Sequence, residues 1–587
     1  MEGERDDERH LGKGGGTIDK RGRRGKETMN GETVTYASLG KRALASAIDL
    51  CGNAKQPQTR MICTLGPSVA DVDMLTKLIE AGMNIARFNF SHGTIEYHQN
   101  MYDKLMLAVE KSGKKVAVAL DTKGPEIRTG FLENHEPVTL EKGTEITITT
   151  DYTVAGTSQL LALSYKKLPE SVHEGSKILL ADGTAVLTVL STNAKAGTVR
   201  ARVENTAKIG EKKNCNLPGV KVDLDILTAS DKDALVNFAI KNEIDFVFAS
   251  FIQSAADVEE IRAFVGKDGR NLKIISKIES QLGILNFEEI LSATDGVMVA
   301  RGDLGMEIPL QTVFLAQKMM IRMCNLAAKP VVTATQMLES MVTNPRPTRA
   351  EATDVANAVL DGTDVVMLSG ETAGGAFPIQ AAETMRSICV EAESCEDSAS
   401  FGRQMASLTP APMSVLESAA FSAVKMAEKT AAALIIVLAA SGGTARLISK
   451  YHPSVPVIVA VVPVGDARIE LGQAGQATPE TVYRSLLVSR GLIPYLVDEH
   501  GTTNGDDAKK SGNGWGLCRS AGDDVVDPGA DEHPSSKHVL TPEKIIAHVF
   551  AYAKAEKMVT TGDNAVVMHA TTKGATKFPV LQVLPCQ

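Results

Sequence analysis

Short apolar segments alternate with longer helical patterns over two stretches of this 587-residue chain, and that alternation restricts its fold more than any other feature. Strands joined by helices run parallel, because each helix returns the chain to the edge from which the next strand starts. Three candidate strands precede Gly124 and five follow Leu224, and eight strands are the number that closes a (β/α)8 TIM barrel. The eight segments are residues 60–64, 84–90, 115–121, 246–250, 273–277, 296–299, 330–333 and 365–369.

The pattern changes twice along the chain, which predicts two domains besides the barrel. Residues 124–224 carry alternating stretches rich in Gly, Thr and Val, typical of a small inserted β-barrel domain. Beyond residue 396 a second α/β pattern begins, interrupted at about 499–538 by a polar, low-complexity insertion. The predicted organisation is a tail and helical segment (1–57), a barrel (58–123 plus 225–396), the inserted domain (124–224) and a C-terminal α/β domain (397–587).

Composition and charge exclude several classes of protein. The net charge of -9 and the isoelectric point of about 5.8 argue against nucleic acid as the main partner. The longest apolar run, residues 431–440, is about half the length that a membrane helix needs. Eight cysteines are scattered without paired spacing, and the acidic N-terminus lacks an apolar secretory core, so we expect a cytoplasmic protein with reduced thiols.

Charged side chains cluster where two of the predicted barrel strands end. Lys277 and Glu279 are two residues apart and therefore share one face of a strand, and Asp303 follows the next strand. Two carboxylates at this end of a barrel can hold Mg²⁺, and a lysine beside them can neutralise a migrating phosphoryl group. The alternative interpretation of each segment alone is a surface ion pair and a turn.

Seven motifs occur in order at the ends of the predicted barrel strands. They are ARFNFSHG (86–93), LDTKGPEIRTG (120–130), SKIE (276–279), VARGDLG (299–305), TATQMLES (333–340), NPRPTRAE (344–351) and LSGET (368–372). Over roughly residues 58–460 this ordered set closely resembles the pyruvate kinase family. The resemblance implies transfer of a phosphoryl group from phosphoenolpyruvate to ADP, giving pyruvate and ATP in glycolysis, with Mg²⁺ (or Mn²⁺) and K⁺ as cofactors.

The resemblance also assigns roles around the substrate. Lys277 matches the lysine that contacts the migrating phosphoryl group, and Arg87 resembles the arginine that clamps the phosphate. Glu279 and Asp303 match the ligands of the divalent cation. The remaining positions match the loop that approaches the substrate carboxylate, Ala300, Arg301 and Gly302, and the threonine near the enolpyruvate methylene, Thr335.

A further set of oxygen-bearing side chains matches the K⁺ site of the family, although capping and turn hydrogen bonds are an alternative role for them. These residues are Asn89, Ser91, Asp121 and Thr122. Glu126 resembles the residue found in members that require K⁺, where K⁺-independent members have lysine. The positions that match contacts of the nucleotide are Asn89, His92, Arg128 and Lys213, and an ordinary loop lysine is an equal alternative for the last.

The C-terminal α/β domain is implied to be regulatory. A loop after the strand 434–439 offers hydroxyls and backbone N–H groups to a phosphorylated effector, and a helix cap is its alternative role. The loop residues are Ser441, Gly442, Gly443 and Thr444. The resemblance further implies a homotetramer. Two other functions compete with an active kinase: a barrel lyase acting on phosphoenolpyruvate or pyruvate, and an inactive paralogue that serves as a sugar-phosphate sensor or scaffold.

Overall fold

The structure is a computed structural model of the chain, and it describes residues 57–462, 477–497, 541–573 and 576–587. The predicted N-terminal tail, up to residue 56, and the predicted insertion at about 499–538 lie outside the described residues. Within the described ranges, no helix combines the length and the apolar character needed to cross a membrane.

The described strands and helices are numbered in chain order. The strands are β1 (Arg60–Thr64), β2 (Ile85–Asn89), β3 (Ala117–Asp121), β4 (Ile127–Arg128), β5 (Val138–Leu140), β6 (Glu145–Thr149), β7 (Leu160–Ala162), β8 (Lys177–Leu180), β9 (Ala185–Asn193), β10 (Thr198–Val203), β11 (Ala207–Ile209), β12 (Asn214–Asn216), β13 (Phe246–Ala249), β14 (Lys273–Ile278), β15 (Gly296–Ala300), β16 (Val331–Ala334), β17 (Val365–Leu368), β18 (Leu434–Ala439), β19 (Val457–Val461), β20 (Leu492–Leu496), β21 (Asn564–Lys573) and β22 (Thr576–Pro585). The α-helices are α1 (Val72–Ala81), α2 (Ile95–Ser112), α3 (Leu168–Ser171), α4 (Ala229–Ala234), α5 (Ala255–Val265), α6 (Gln281–Leu285), α7 (Phe287–Ala293), α8 (Arg301–Glu307), α9 (Val313–Leu326), α10 (Arg349–Asp361), α11 (Gly370–Ala373), α12 (Pro378–Cys395), α13 (Ser398–Leu408), α14 (Val415–Thr430), α15 (Gly443–Ser449), α16 (Pro479–Leu486) and α17 (Pro542–Ala555).

The predicted barrel is confirmed as a closed sheet of eight parallel strands, in the order β1-β17-β16-β15-β14-β13-β3-β2. Its strands are buried on both faces, which explains why they read as continuous apolar runs rather than as alternating patterns. The helices start at local signals: Asp71 caps α1 by accepting the N–H of Met74, and Thr348 and Glu351 form a capping box on α10. Because all eight strands are parallel, their carboxyl ends meet at one rim of the barrel.

Three more sheets accompany the barrel, two in the inserted region and one at the C-terminal side of the chain. Strands β4 to β12 form a seven-stranded sheet in the order β4-β12-β8-β9-β10-β6-β7 and a two-stranded ribbon of β11 and β5. We call this part the inserted β region, residues 124–224. The C-terminal sheet has the order β20-β19-β18-β21-β22, in which only the edge strand β22 is antiparallel to its neighbour. An inserted β region and a C-terminal α/β region agree with the fold class predicted from the sequence.

A segment of the C-terminal α/β region closes the amino end of the barrel, which the sequence had not indicated. Leu487 and Val488 follow α16 and join the apolar cluster inside the barrel. Arg484 Nε donates to Asp245 Oδ1 over 2.7 Å, and the backbone N–H of Arg490 donates to Asp364 Oδ1 over 3.0 Å. These aspartates directly precede β13 and β17. We call residues 484–490 the barrel-floor segment.

Candidate active site

Three strand ends at the carboxyl rim of the barrel contribute to one buried ionic network. Asp121, at the end of β3, accepts from Arg87 Nε over 2.6 Å and from Lys277 Nζ over 3.1 Å, one cation on each carboxylate oxygen. Lys277 Nζ also lies 2.9 Å from Glu279 Oε1 and donates to Ser250 Oγ over 2.7 Å. The structure therefore brings Lys277, Arg87 and Glu279 into one network with Asp121. All four were predicted from the sequence to belong to the site.

The network favours the charged forms of Lys277 and Asp121. Burial on its own would raise the pKa of the Asp121 carboxyl, but Arg87 and Lys277 hold that pKa below its ordinary value. Burial would likewise lower the pKa of Lys277, and the negative charges of Asp121 and Glu279 instead raise it. Lys277 is thus a fully ionised ammonium in a largely water-excluded position, where its charge acts more strongly than in bulk water.

The two predicted ligands of a divalent cation line one cavity of about 340 Å³, between the barrel rim and the inserted β region. Burial, with a contribution from the charge of Asp303, raises the pKa of Glu279 to about 7 in spite of Lys277. Burial also raises the pKa of Asp303. Two carboxylates that repel each other in a poorly solvated cavity are the donor set that a hard divalent cation stabilises, so these residues fit Mg²⁺ or Mn²⁺.

The predicted carboxylate-binding loop is the junction of β15 and α8. The first N–H groups of α8 lack partners within the helix and are available to an anion. The Arg301 side chain faces away from them, since its guanidinium donates to the carbonyl of Thr335 over 2.7 Å and pairs with Asp354. A Cβ on Gly302 would lie 2.9 Å from Thr335 Cγ2, so the close approach of these two residues requires glycine.

Thr335 has a strained backbone. Its φ of 74° lies in the left-handed region, which β-branched residues rarely adopt, and the next residue, Gln336, also has a positive φ. Such conformations persist where the surrounding structure fixes them, and they concentrate at functional sites. The hydrogen bonds that the Arg301 guanidinium donates to the Thr335 carbonyl are one part of that constraint.

The residues predicted to bind K⁺ lie at the ends of the neighbouring strands β2 and β3, where Asn89 and Asp121 are register partners. Asn89 Oδ1 accepts the N–H of Ser91 over 3.1 Å, and Thr122 Oγ1 accepts the N–H of Ser250 over 3.0 Å. The structure thus brings the four residues together, and it also gives them the turn and capping hydrogen bonds that were the alternative.

The residues predicted to contact the nucleotide lie on both sides of the cleft between the barrel rim and the inserted β region. Arg128 and Lys213 belong to the inserted β region, whereas the exposed His92 follows β2 on the barrel rim. The Arg128 guanidinium pairs with Glu126 over 2.5 Å and donates to the carbonyl of Lys212 over 2.8 Å. Arg128 is therefore held by the residue that was predicted to mark K⁺ dependence.

The predicted effector residues lie away from the barrel rim, after β18 and at the start of α15. Gly442 has a φ of 76°, and a Cβ there would lie 2.7 Å from the side chain of Leu486. Thr444 is buried, and its hydroxyl has no hydrogen-bond partner among the described residues. The loop thus packs against the end of α16, immediately before the residues that close the amino end of the barrel.

Three residues of the site were not predicted from the sequence. Ser250 links Lys277 to the end of β13, and Asn216 and Glu307 line the cavity with Glu279 and Asp303. Glu307 lies one helical turn after Asp303, so the helical spacing in the segment 301–307 could have indicated it. Ser250 and Asn216 carry no comparable signal, because their positions depend on contacts between distant parts of the chain.

The fold and the ionic network define a (β/α)8-barrel enzyme whose site is suited to an anionic, phosphorylated substrate. Residues 56–382 match the family model of the pyruvate kinase barrel domain, and residues 417–527 match that of the pyruvate kinase alpha/beta domain. The chain belongs to the pyruvate kinase family. The family prediction made from the seven motifs is therefore confirmed.

Several relatives are similar over most of the chain. The cytosolic pyruvate kinase isozyme of Glycine max is 51% identical over 82% of this chain and 96% of its own, and that of Solanum tuberosum is 52% identical over 81% and 94%. A crystal structure of a Cryptosporidium parvum pyruvate kinase is 41% identical, with a TM-score of 0.77 over 91% of this chain and 97% of its own. The names of the plant relatives agree with the predicted cytoplasmic location.

Proposed function

We propose that this chain transfers the phosphoryl group of phosphoenolpyruvate to ADP in a reaction that depends on Mg²⁺ (or Mn²⁺) and K⁺. The observation that carries the proposal is the ionised Lys277, held between Asp121 and Glu279 beside Arg87. Phosphoryl transfer gathers negative charge, and positioned cations stabilise that charge more effectively than a base would. The intact set of charged residues favours an active enzyme over a sensor or scaffold.

The roles of the residues follow from their chemistry. Arg87 would bind the phosphate, and Lys277 would stabilise the charge that spreads over the phosphoryl group during transfer. The N–H groups at the start of α8 would bind the substrate carboxylate, and Thr335 would help to deliver a proton to the enolpyruvate methylene. Substrate positioning by these fixed groups accounts for a large part of the rate enhancement expected of such a site.

Two cation sites complete the proposal. Glu279 and Asp303 would hold the divalent cation, which would supply positive charge to the anionic substrate. The monovalent cation would be held by Asn89, Ser91, Asp121 and Thr122, whose oxygens suit K⁺. In the nucleotide site, Asn89 and His92 on the barrel would face Arg128 and Lys213 on the inserted β region, and closure of the cleft would bring the two sets together.

Assembly and regulation belong to the same proposal. Exposed apolar side chains at the start of α9 and just before it, namely Leu310, Phe314 and Leu315, support an interface between subunits of a homotetramer. The loop Ser441, Gly442, Gly443 and Thr444 would bind a phosphorylated effector. Ala439 and Ala440 offer no polar side chains beside the loop and Gly443 brings no positive charge to it, which favours a monophosphate over fructose 1,6-bisphosphate.

Replacing Lys277 by methionine tests the central role. Its charge is needed mostly in the transition state, so Lys277→Met should lower kcat by roughly 10³-fold or more while phosphoenolpyruvate still binds. Lys273→Met is the matched control, because Lys273 is the half-buried lysine at the other end of β14. An assay coupled to pyruvate formation gives kcat, and equilibrium titration gives binding. Equal losses of binding and turnover would contradict the role, and an unmodified protein without turnover would favour the sensor or scaffold.

A further inference from the structure

Two aromatic rings of the inserted β region hold the ammonium group of Lys212. Lys212 Nζ lies 3.9 Å from the centroid of the Phe131 ring and 4.4 Å from that of the Tyr152 ring, and it donates to the Tyr152 hydroxyl over 3.3 Å. A cation this close to a ring is attracted by the negative face of the π-system. The three side chains come from three separate connections, after β4, after β6 and before β12. We call them the aromatic clamp.

The clamped lysine has a strained backbone. Lys212 has a φ of 54°, in the left-handed region that residues other than glycine seldom adopt. Such a conformation costs free energy and persists where the surrounding structure fixes it. The ring contacts of Lys212 supply part of that constraint, and the clamp is itself anchored, because the Tyr152 hydroxyl donates to the Thr129 carbonyl over 2.9 Å. The turn at Lys212 therefore keeps its shape through side-chain contacts with other connections of the inserted β region.

The backbone of this turn reaches the predicted nucleotide site. The Lys212 carbonyl accepts from Arg128 Nη1 over 2.8 Å. The next residue, Lys213, donates its backbone N–H to Thr129 Oγ1 over 2.8 Å, and its carbonyl accepts the N–H of Thr129 over 2.8 Å. The turn is therefore attached both to the Arg128 side chain and to the residue that follows Arg128 in the chain. A change in the φ of Lys212 would move the carbonyl that holds the guanidinium.

Two anchors give the Arg128 guanidinium one orientation. Its Nε and Nη2 donate to Glu126 Oε2 over 2.8 and 2.5 Å, so a single carboxylate oxygen holds one edge of the group. Contacts to one oxygen leave the guanidinium free to pivot about that point, and the bond from Nη1 to the Lys212 carbonyl removes this freedom. A side chain that is already ordered loses less conformational entropy when a ligand binds to it, so affinity is higher.

We propose that Lys212 is a positioning residue for the nucleotide: the aromatic clamp fixes the turn whose carbonyl orients Arg128 towards the phosphates of ADP. The inference rests on the proposed function, which makes Arg128 a contact of the nucleotide. The Lys212 ammonium itself faces the rings of Phe131 and Tyr152, so its effect on ADP passes through the backbone. The binding of phosphoenolpyruvate should be independent of the clamp, because its proposed contacts belong to the barrel.

Binding of ADP in the presence of Mg²⁺ and K⁺, measured by isothermal titration calorimetry, tests the proposal. Lys212→Met keeps a side chain of similar length without the charge, and it should raise the Kd for ADP by roughly 3- to 30-fold, the range of a cation–π contact. Lys212→Arg should bind ADP as the unmodified protein does, because a guanidinium also stacks on aromatic faces. Lys208→Met is the matched control, since Lys208 is an exposed lysine of β11 in the same region, and its Kd should be unchanged. A loss in Lys212→Arg as large as that in Lys212→Met would contradict the clamp.

Steady-state kinetics and a double-mutant cycle separate positioning from general loosening of the inserted β region. In Lys212→Met the KM for ADP should rise while the KM for phosphoenolpyruvate stays the same, and equal rises in both would refute the proposal. In an Arg128→Ala background, Lys212→Met should raise the Kd for ADP by a smaller factor than in the unmodified protein, because the two residues act on the same contact. Equal factors in both backgrounds would show that Lys212 does not act through Arg128.

Further variants distinguish a failure of this inference from a failure of the proposed function. Arg128→Ala alone should weaken ADP binding, and unchanged binding would overturn the nucleotide site itself. If Arg128→Ala weakens binding while Lys212→Met binds ADP as the unmodified protein does, only the positioning role is overturned. Phe131→Leu provides the same test if Lys212→Met fails to fold, because Phe131 is 51% exposed and its ring contributes little to the core. It should also raise the Kd for ADP, and an unchanged Kd would exclude the aromatic clamp as a determinant of nucleotide affinity.

Discussion

Replacing Leu487 by alanine should destabilise the barrel, although Leu487 belongs to the C-terminal α/β region. The side chain is 6% exposed and packs with Val488 among residues of the inner barrel wall. Truncation of a buried leucine costs about 2 to 5 kcal/mol, from lost transfer free energy and from the cavity left behind. The surrounding strands are hydrogen-bonded on both sides and can collapse little, so we expect about 3 kcal/mol.

Thermal unfolding followed by calorimetry and circular dichroism measures the effect. For a cooperative unit of 150 to 250 residues, about 3 kcal/mol corresponds to a fall in Tm of roughly 6 to 12 °C. Leu408→Ala is the matched control, because Leu408 is 44% exposed at the end of α13 and its truncation should cost less than about 0.5 kcal/mol. If Leu487→Ala lowers Tm no more than this control does, the barrel-floor segment does not stabilise the barrel.

Three further predictions follow from the structure. Although burial opposes ionisation, Arg490 and His452 hold the pKa of Glu396 at about 2. The Glu396 carboxylate therefore contributes on the order of 3 kcal/mol to the free energy of unfolding above pH 4.5, and this contribution is lost as the pH falls from 4.5 towards 2. Glu396→Gln should flatten acid unfolding curves in that window, and an unchanged curve would contradict the reasoning. Activity should be low without monovalent cations and rise steeply with K⁺, and Glu126→Lys should weaken the requirement while releasing Arg128 from its partner; full activity of the unmodified protein without any monovalent cation would exclude the proposed K⁺ site. In titrations at sub-saturating phosphoenolpyruvate, glucose 6-phosphate or AMP should activate more than fructose 1,6-bisphosphate, and activation by the bisphosphate alone would show the proposed preference to be wrong.

The sequence was sufficient for features that depend on local pattern. The barrel strands are apolar runs that stay apolar because both faces are buried, and β1 was predicted with the bounds that the structure gives. Side chains two residues apart in a strand share a face, so the sequence predicted that Lys277 and Glu279 lie side by side. The distance of 2.9 Å between Lys277 Nζ and Glu279 Oε1 agrees with that prediction. The central place of Asp121 was not foreseen, because its contacts with Arg87 and Lys277 join three separate strands.

The features that the sequence missed depend on contacts between distant parts of the chain. Leu487 and Val488 lie in a short apolar stretch that fits an ordinary helix end, and nothing local shows that they enter another region. Asp245 and Asp364 resemble turn residues before a strand, yet each also anchors the barrel-floor segment. Asn216 was not predicted for the same reason, since nothing local in the sequence shows that it lines the cavity with Glu279 and Asp303.

The position of the barrel-floor segment in the sequence also determines when the barrel can be completed during synthesis on the ribosome. The last barrel strand ends at Leu368, and Leu487 is synthesised about 120 residues later. At about 5 to 20 residues per second, the eight strands emerge roughly 6 to 24 s before the residues that close their amino end. Until Leu487 and Val488 are made, their apolar partners inside the barrel are uncovered, so we expect the nascent chain to bind chaperones that recognise apolar surface.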